Sequence, residues 1–215
     1  MIFKIRASAC GQIMGVKGLG KTGETYVKEW LKSEIYGKKK TVISKYMTKG
    51  TIEEGSNIDF ACKMLGFNAV KNEQYFENDF ICGTPDIILE NEIIDIKSSW
   101  DCFTFPIFDN EINIDYYYQL QCYMHLTGKK NSRLVYILGE TPENIIVSEA
   151  KKLVYNFGYD YDEAYEMTVE RFNYSNVSDR LRIKTFDVNY DSLVIAKIES
   201  RVIECRLLID KIMNI

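Results

Sequence analysis

Gly83-Thr84-Pro85-Asp86-Ile87-Ile88-Leu89-Glu90-Asn91-Glu92-Ile93-Ile94-Asp95-Ile96-Lys97 is the stretch on which the reading of this chain turns. Two apolar, largely β-branched runs flank the polar tip Glu90-Asn91, which is the pattern of a β-hairpin. With Glu90-Asn91 as the loop, cross-strand partners carry numbers that sum to a constant, so Asp86 falls opposite Asp95 and Thr84 opposite Lys97. Opposed side chains in a ladder lie about 4.5–5.5 Å apart at Cβ, and like charges there repel. The isoleucine framing predicts a mostly buried sheet, where two carboxylates without a partner are costlier still. A hard divalent cation turns that cost into a binding site, because Mg²⁺ takes oxygen ligands. Lys97, two residues after Asp95, shares its strand face and could balance the pair or hold an attacking water. The bland alternative is a Lys97 salt bridge to two surface aspartates, which would be worth little.

The rest of the chain bounds the answer. With 215 residues, 46% of them hydrophobic and 27% charged, it has the size and balance of one globular domain. The expected fold is α/β: a single domain over residues 1–215 with a central mixed β-sheet flanked by helices. Helices are expected over about 7–14, 23–35, 49–65, 114–126 and 160–172, and a long amphipathic one over about 192–213. In the third of these, Ile52, Phe60 and Met64 are the candidate apolar positions. Strand-like runs fall at 73–77, 80–89, 92–98, 134–138 and 182–188, while 148–154 is ambiguous between strand and helix. No apolar run is long enough to span a membrane and no signal-peptide core is evident, so the expected location is the cytoplasm. The six cysteines form no C-x-x-C pair and read as small buried hydrophobes. The single histidine, His125, sits in an apolar helical stretch and reads as structural, which argues against a zinc site or a Ser-His-Asp triad.

Charge is unevenly spread. Residues 1–50 hold eleven Lys/Arg against three Glu, so this N-terminal helical segment is strongly basic within a chain of net charge −4. Lys38, Lys39 and Lys40 are either a solvated face or a phosphate-facing patch. The string Gly15-Val16-Lys17-Gly18-Leu19-Gly20-Lys21-Thr22 satisfies the P-loop pattern, but a P-loop must follow a buried strand. The preceding residues read as helix, so no nucleotide is expected, and the string is better read as a glycine loop bearing two lysines.

Pro85-Asp86 followed by Asp95-Ile96-Lys97 resembles the signature of the PD-(D/E)XK nuclease superfamily. Gly50-Thr51-Ile52-Glu53-Glu54 resembles the G-x-x-x-E helix of its lambda-exonuclease-like (YqaJ) viral recombinase branch. Tyr116-Tyr117-Tyr118-Gln119-Leu120-Gln121-Cys122-Tyr123-Met124 is similar to that branch's Tyr/Gln helix and fits the Q-x-x-x-Y of RecB-like nucleases. Arg6-Ala7-Ser8-Ala9-Cys10-Gly11-Gln12-Ile13 is similar to the branch's opening T-A-S helix. The four pieces occur in the branch's order over residues 6–124; the last ninety residues match only in outline.

The resemblance implies a metal-dependent DNA exonuclease of viral recombination or DNA processing. Glu54, Asp86, Asp95 and the backbone carbonyl of Ile96 would hold one or two Mg²⁺ ions, with Mn²⁺ able to substitute, and Glu53 stands as runner-up to Glu54. Lys97 would orient or deprotonate the hydrolytic water, and Gln119 would place Lys97 or the scissile phosphate. Ser8, Arg6, Lys17, Lys21 and Tyr123 are the DNA-contact candidates, with N-capping the alternative for Ser8 and core packing for Tyr123. The branch's upstream arginine for a terminal phosphate has no counterpart, and Arg6, Lys17, Lys21 or Lys38–Lys40 could stand in. DNA is the implied partner, a single-strand annealing protein a second one, and a homo-oligomer is open. An iron–sulfur cluster is not expected, because only Cys205 lies in the last ninety residues. The alternatives are a RecB-like nuclease of endonuclease or single-strand specificity, or a catalytically silent DNA-binding module of the same fold.

Overall fold

The computed structural model describes residues 2–41 and 44–214. The chain begins with β1 (Ile5–Arg6), a 3-10 segment (Ala7–Ile13), α1 (Gly20–Tyr36) and α2 (Lys45–Leu65). Four strands follow: β2 (Phe76–Glu77), β3 (Ile81–Gly83), β4 (Ile87–Ile88) and β5 (Glu92–Ser98). Then come α3 (Ile114–Thr127), β6 (Asn131–Ile137), α4 (Glu143–Phe157), α5 (Tyr161–Phe172), a 3-10 turn (Asp179–Leu181), β7 (Ile183–Asn189) and α6 (Ser192–Met213). Strands β4-β5-β6-β7 form a mixed sheet in that order, and β1-β3-β2 form a small second one. The result is the expected single-domain α/β architecture.

The hairpin has the predicted register: Ile87 pairs with Ile94 and Ile88 with Ile93, closed by Leu89 N–H donating to the Glu92 carbonyl at 2.9 Å. The ladder does not reach Thr84 and Lys97, however. Pro85 has no N–H to give, and the backbone there turns to Asn72, which donates to the carbonyls of Pro85 (2.9 Å) and Asp86 (2.7 Å). Asp86 instead continues the pairing with its side chain, Oδ2 accepting from Ile96 N–H at 2.8 Å.

β5 is buried on both faces, and its alternation assigns them. Ile93 packs in the larger core with the 3-10 segment, α3 and α6, whereas Ile94 packs in a second cluster with Ile58 and Ala61 of α2. Asp95 and Lys97, at odd positions, therefore face α3. The parallel pairing of β5 with β6 puts Asp95 beside Leu134 and Lys97 beside Tyr136.

Several expectations need correcting. The run 80–89 is two short strands in different sheets rather than one, and only Phe76–Glu77 of 73–77 is strand. The ambiguous 148–154 lies inside α4. In α2, Ile52 is exposed while Phe60 and Met64 are half-buried; the buried stripe is the polar set Lys49, Glu53 and Asn57, followed by Ile58 and Ala61. Cys10, Cys82, Cys122 and Cys205 are buried as expected, Cys62 is half-buried and Cys102 is exposed. His125 is structural, with Nδ1 3.0 Å from the Tyr190 hydroxyl. Among the described residues no helix is long and apolar enough to cross a membrane.

Candidate active site

Asp86 and Lys97 line a cleft of about 530 Å³, together with Glu54, Trp100, Tyr116 and Tyr136 among others. Asp95 lies beneath its floor, 1% exposed. Its Oδ1 accepts from Gln119 Nε2 at 3.1 Å, and its Oδ2 is 2.8 Å from the Lys97 ammonium. Lys97 also donates to Gln119 Oε1 at 3.3 Å, so Asp95, Lys97 and Gln119 close a triangle. Gln119 Nε2 is 3.1 Å from the Tyr123 hydroxyl, one helical turn on. Tyr116, one turn earlier on α3, covers the Lys97 ammonium with its ring at 4.7 Å. The spacing of Tyr116, Gln119 and Tyr123 is what puts all three on the helix face turned to β5.

Close packing sets this geometry. A Cβ at Gly83 would stand 2.8 Å from the Tyr123 ring and 3.1 Å from the Ala7 methyl, so only glycine lets the small sheet sit against α3 here. Ser8, next to Ala7, and Arg6 are both exposed near this junction but do not line the cleft.

Electrostatically the site is strained toward taking up positive charge. Burial and the facing Asp95 push the Asp86 carboxyl up to about 7. Burial works to lower the Lys97 ammonium, but the Asp95 and Asp86 carboxylates outweigh it and hold Lys97 above its ordinary value. Asp95 Oδ2 is buried without a well-aligned hydrogen bond, held only by its charge contact with Lys97. Such a donor set of hard, crowded carboxylate oxygens fits a divalent ion.

Glu54 lines the same cleft, but its carboxylate is paired with Lys71 at 2.7 Å. Among the described residues no three acidic, thiol or imidazole groups close on one point. Glu53, the runner-up, does not line the cleft and is buried in an ion pair with Lys49 at 3.3 Å. Lys49 in turn donates to the carbonyls of Ser99 (2.7 Å) and Trp100 (3.2 Å), just past the end of β5. Asn57 donates to the Ser98 hydroxyl. This polar stripe clamps the helix that carries Glu54 to the strand that carries Asp95 and Lys97. Sequence reading missed it because Lys49 and Glu53 at i,i+4 look like an ordinary surface pair.

The basic N-terminal candidates are scattered. Lys17 and Lys21 are exposed, and the glycine loop lies against α6, where Arg201 donates to the Gly15 carbonyl at 3.1 Å. The P-loop-like string follows a 3-10 segment rather than a strand, as expected from its sequence. Lys40 pairs with Glu29 at 2.6 Å, while Lys38 and Lys39 are exposed beyond the end of α1. A second cleft of about 590 Å³ near the start of α6 also holds acids, but these are engaged: Asp191 caps α6 and Asp187 pairs with Arg133 at 3.0 Å.

Comparison with solved structures finds this fold among exonucleases. A phage-related exonuclease from Haemophilus somnus 129PT superposes with a TM-score of 0.81 at 27% identity, over 100% of this chain and 96% of that one. The chain has the lambda-exonuclease-like PD-(D/E)XK nuclease fold. An alkaline exonuclease from Laribacter hongkongensis, also solved in complex with dAMP, shares the fold at 17% identity and a TM-score of 0.70, over 98% of this chain and 90% of that one. No protein-family profile matches the chain, and no curated protein sequence matches it. Within this fold, Asp86 and Lys97 line the cleft, and Asp95 and Gln119 are buried behind them.

Two outcomes follow from the charges alone. In chelator, Asp86 stays protonated in the folded state up to about 7, while in the unfolded chain it ionises near the ordinary Asp value. Its contribution to stability is therefore full below about pH 4 and lost as pH rises to about 7, worth at most roughly 4 kcal/mol. Asp86→Asn should remove that part of the pH dependence, read as the difference between the two proteins' urea-unfolding curves from pH 4 to 8. Parallel curves would mean that Asp86 is not crowded. Separately, Lys49→Met strands a buried Glu53 and should cost about 3–5 kcal/mol, with Lys49→Met/Glu53→Leu recovering more than half. Equal loss in single and double variants would mean that shape rather than charge carries the clamp.

Proposed function

We propose that this protein is a divalent-metal-dependent deoxyribonuclease that degrades DNA from its ends, in viral recombination or DNA processing. The observation that carries the reading is the crowding of half-buried Asp86 against buried Asp95, with Lys97 and Gln119 both held on Asp95, on a fold shared along its whole length with a phage-related exonuclease.

Asp86, Asp95 and the Ile96 carbonyl would hold the ion, with Mg²⁺ the expected metal and Mn²⁺ a substitute. Glu54 would join them by leaving Lys71, an exposed partner that holds it only weakly. When bound, such an ion supplies positive charge to the oxygens developing charge at phosphorus and makes a water deprotonatable near neutral pH. The protein's own groups do the placing. Gln119 orients Asp95 and Lys97 together, and the Lys97 ammonium directs the water or a phosphate oxygen in the cleft. Held above its ordinary value, Lys97 is better suited to orient than to remove a proton. Tyr123 acts behind Gln119 rather than on the DNA, because it is buried. Arg6, Ser8, Lys17 and Lys21 remain contacts for the DNA backbone outside the cleft. An annealing-protein partner and a homo-oligomer go with the reading through the resemblance.

The test is digestion of end-labelled linear duplex, covalently closed circular and single-stranded DNA with Mg²⁺ and with chelator. Loss of linear DNA from its ends, with circles spared and no loss in chelator, is expected. Equal cleavage of circles would make the protein an endonuclease, and no cleavage of any substrate would leave a binding module.

A further inference from the structure

The loop over residues 99–113, between β5 and α3, leaves the catalytic strand directly and borders the cleft through Trp100 and Thr104. It is braced. Asp101 pairs with Arg171 at 2.9 Å and exchanges hydrogen bonds with Thr104, and Cys102 N–H donates to the Tyr174 hydroxyl at 3.0 Å. Phe105 is buried against Leu138 and Tyr174. Yet the same braced loop holds Phe103 at 90% and Phe108 at 89% exposure. Two fully hydrated phenylalanines forgo the gain that burial would bring, and the loop's anchors stop them from folding in. Phe103 immediately precedes the cleft-lining Thr104, and Phe108 lies further along the same loop.

The composition of the loop says what it can meet. No Lys or Arg occurs from Ser98 to Gly128, whereas Asp109 and Glu111 follow Phe108. The loop itself therefore offers no cation to a DNA backbone, and the cations against it are engaged, Arg171 with Asp101 and Lys45 over the Trp100 ring. The loop can receive the faces of bases whose phosphates point away, and bases within a duplex are already stacked on one another. Aromatic side chains stack on unpaired bases with little regard to sequence.

Resting on the nuclease reading above, we propose that Phe103 and Phe108 form a stacking platform for unpaired bases of the DNA strand at the mouth of the cleft. The platform recognises bases and leaves the phosphates to the metal site and the lysines elsewhere.

The experiment is an abasic scan. Single-stranded oligonucleotides with one abasic residue at successive positions from the end are bound to the full chain in Ca²⁺, beside Phe103→Ala, Phe108→Ala, the double variant and Phe103→Leu. The wild-type protein should lose roughly five- to hundredfold in affinity at one or two positions. The double variant should lose a similar factor on intact DNA and give a flat scan. Phe103→Leu keeps apolar area without a π-face and should resemble Phe103→Ala. A scan unchanged by the substitutions, in a protein that still cuts linear DNA, overturns the platform alone. So does a change of oligomeric state in the double variant by sedimentation velocity with the scan retained, which would make the two phenylalanines a contact between copies. A wild-type protein that neither binds nor cuts DNA overturns the nuclease reading and the platform with it.

Discussion

Asp95→Asn should abolish metal-dependent DNA cleavage, with a loss of at least ~10³-fold, while leaving a folded protein. A carboxylate that shares a divalent ion contributes several kcal/mol of charge stabilisation, and each 1.36 kcal/mol is a factor of ten in rate. The amide is nearly isosteric but binds such an ion poorly. The surrounding triangle adds a second reason. Asp95 accepts from Gln119 on one oxygen and meets Lys97 with the other, and Lys97 also donates to Gln119. An asparagine must turn its NH₂ toward one of these donors. Flipping Gln119 moves the donor–donor conflict to the Lys97 contact without removing it. Relief of the repulsion between residues 86 and 95 works in the opposite direction, so stability in chelator should change by no more than about 1–2 kcal/mol. The paired measurements are Mg²⁺-dependent degradation of linear DNA and urea unfolding in chelator. A folded variant that degrades DNA at near the normal rate would remove Asp95 from the site.

The part of this site that lies on one strand pair was legible in the sequence. A two-residue tip between isoleucine runs leaves little freedom of register, since a one-residue slip would turn Ile93, Asp95 and Lys97 to the other face. The pairing of residues 87 and 94 accordingly came out as read. The helix Ile114–Thr127 was legible for a similar reason, because Asn113 caps its start and Gly128, at a φ of 75°, takes the left-handed turn that ends it. What failed to show lies where two elements distant in sequence meet. Which of two adjacent acids, Glu53 or Glu54, faces the cleft depends on how α2 is rotated against β5. The buried Lys49–Glu53 pair and the Asn57–Ser98 contact set that rotation, and a hydrophobicity pattern counts all three helix residues as surface. The stretch 80–89 misled because Pro85 interrupts the ladder and Asn72, from a distant loop, takes its hydrogen bonds. The grip of Lys71 on Glu54 is likewise a tertiary contact that no spacing announces.

Lys97→Ala should separate the cation that belongs to the protein from the one it would bind. In chelator the substitution leaves Asp95 buried at 1% exposure with only the Gln119 amide for company. Removing one member of a buried pair costs about 3–5 kcal/mol, so a value near the lower end is expected for a lysine that is itself partly in water. Added Mg²⁺ or Mn²⁺ should then restore stability by a larger increment than in the unaltered protein, because the ion no longer competes with an ammonium 2.8 Å from Oδ2. Metal affinity should hold or rise a little. Turnover should nevertheless fall by ~10²–10⁴, the range for removing a group that positions or transfers a proton in the transition state. Lys97→Arg should not rescue it, since the planar guanidinium is larger and the ammonium's place is closed by Asp95, Gln119 and the Tyr116 ring. Calorimetric Mn²⁺ titration beside single-turnover cleavage reads both quantities. If Lys97→Ala loses metal binding as severely as Asp95→Asn, Lys97 holds the carboxylates in place rather than acting on the water or the phosphate, and its assigned role is wrong.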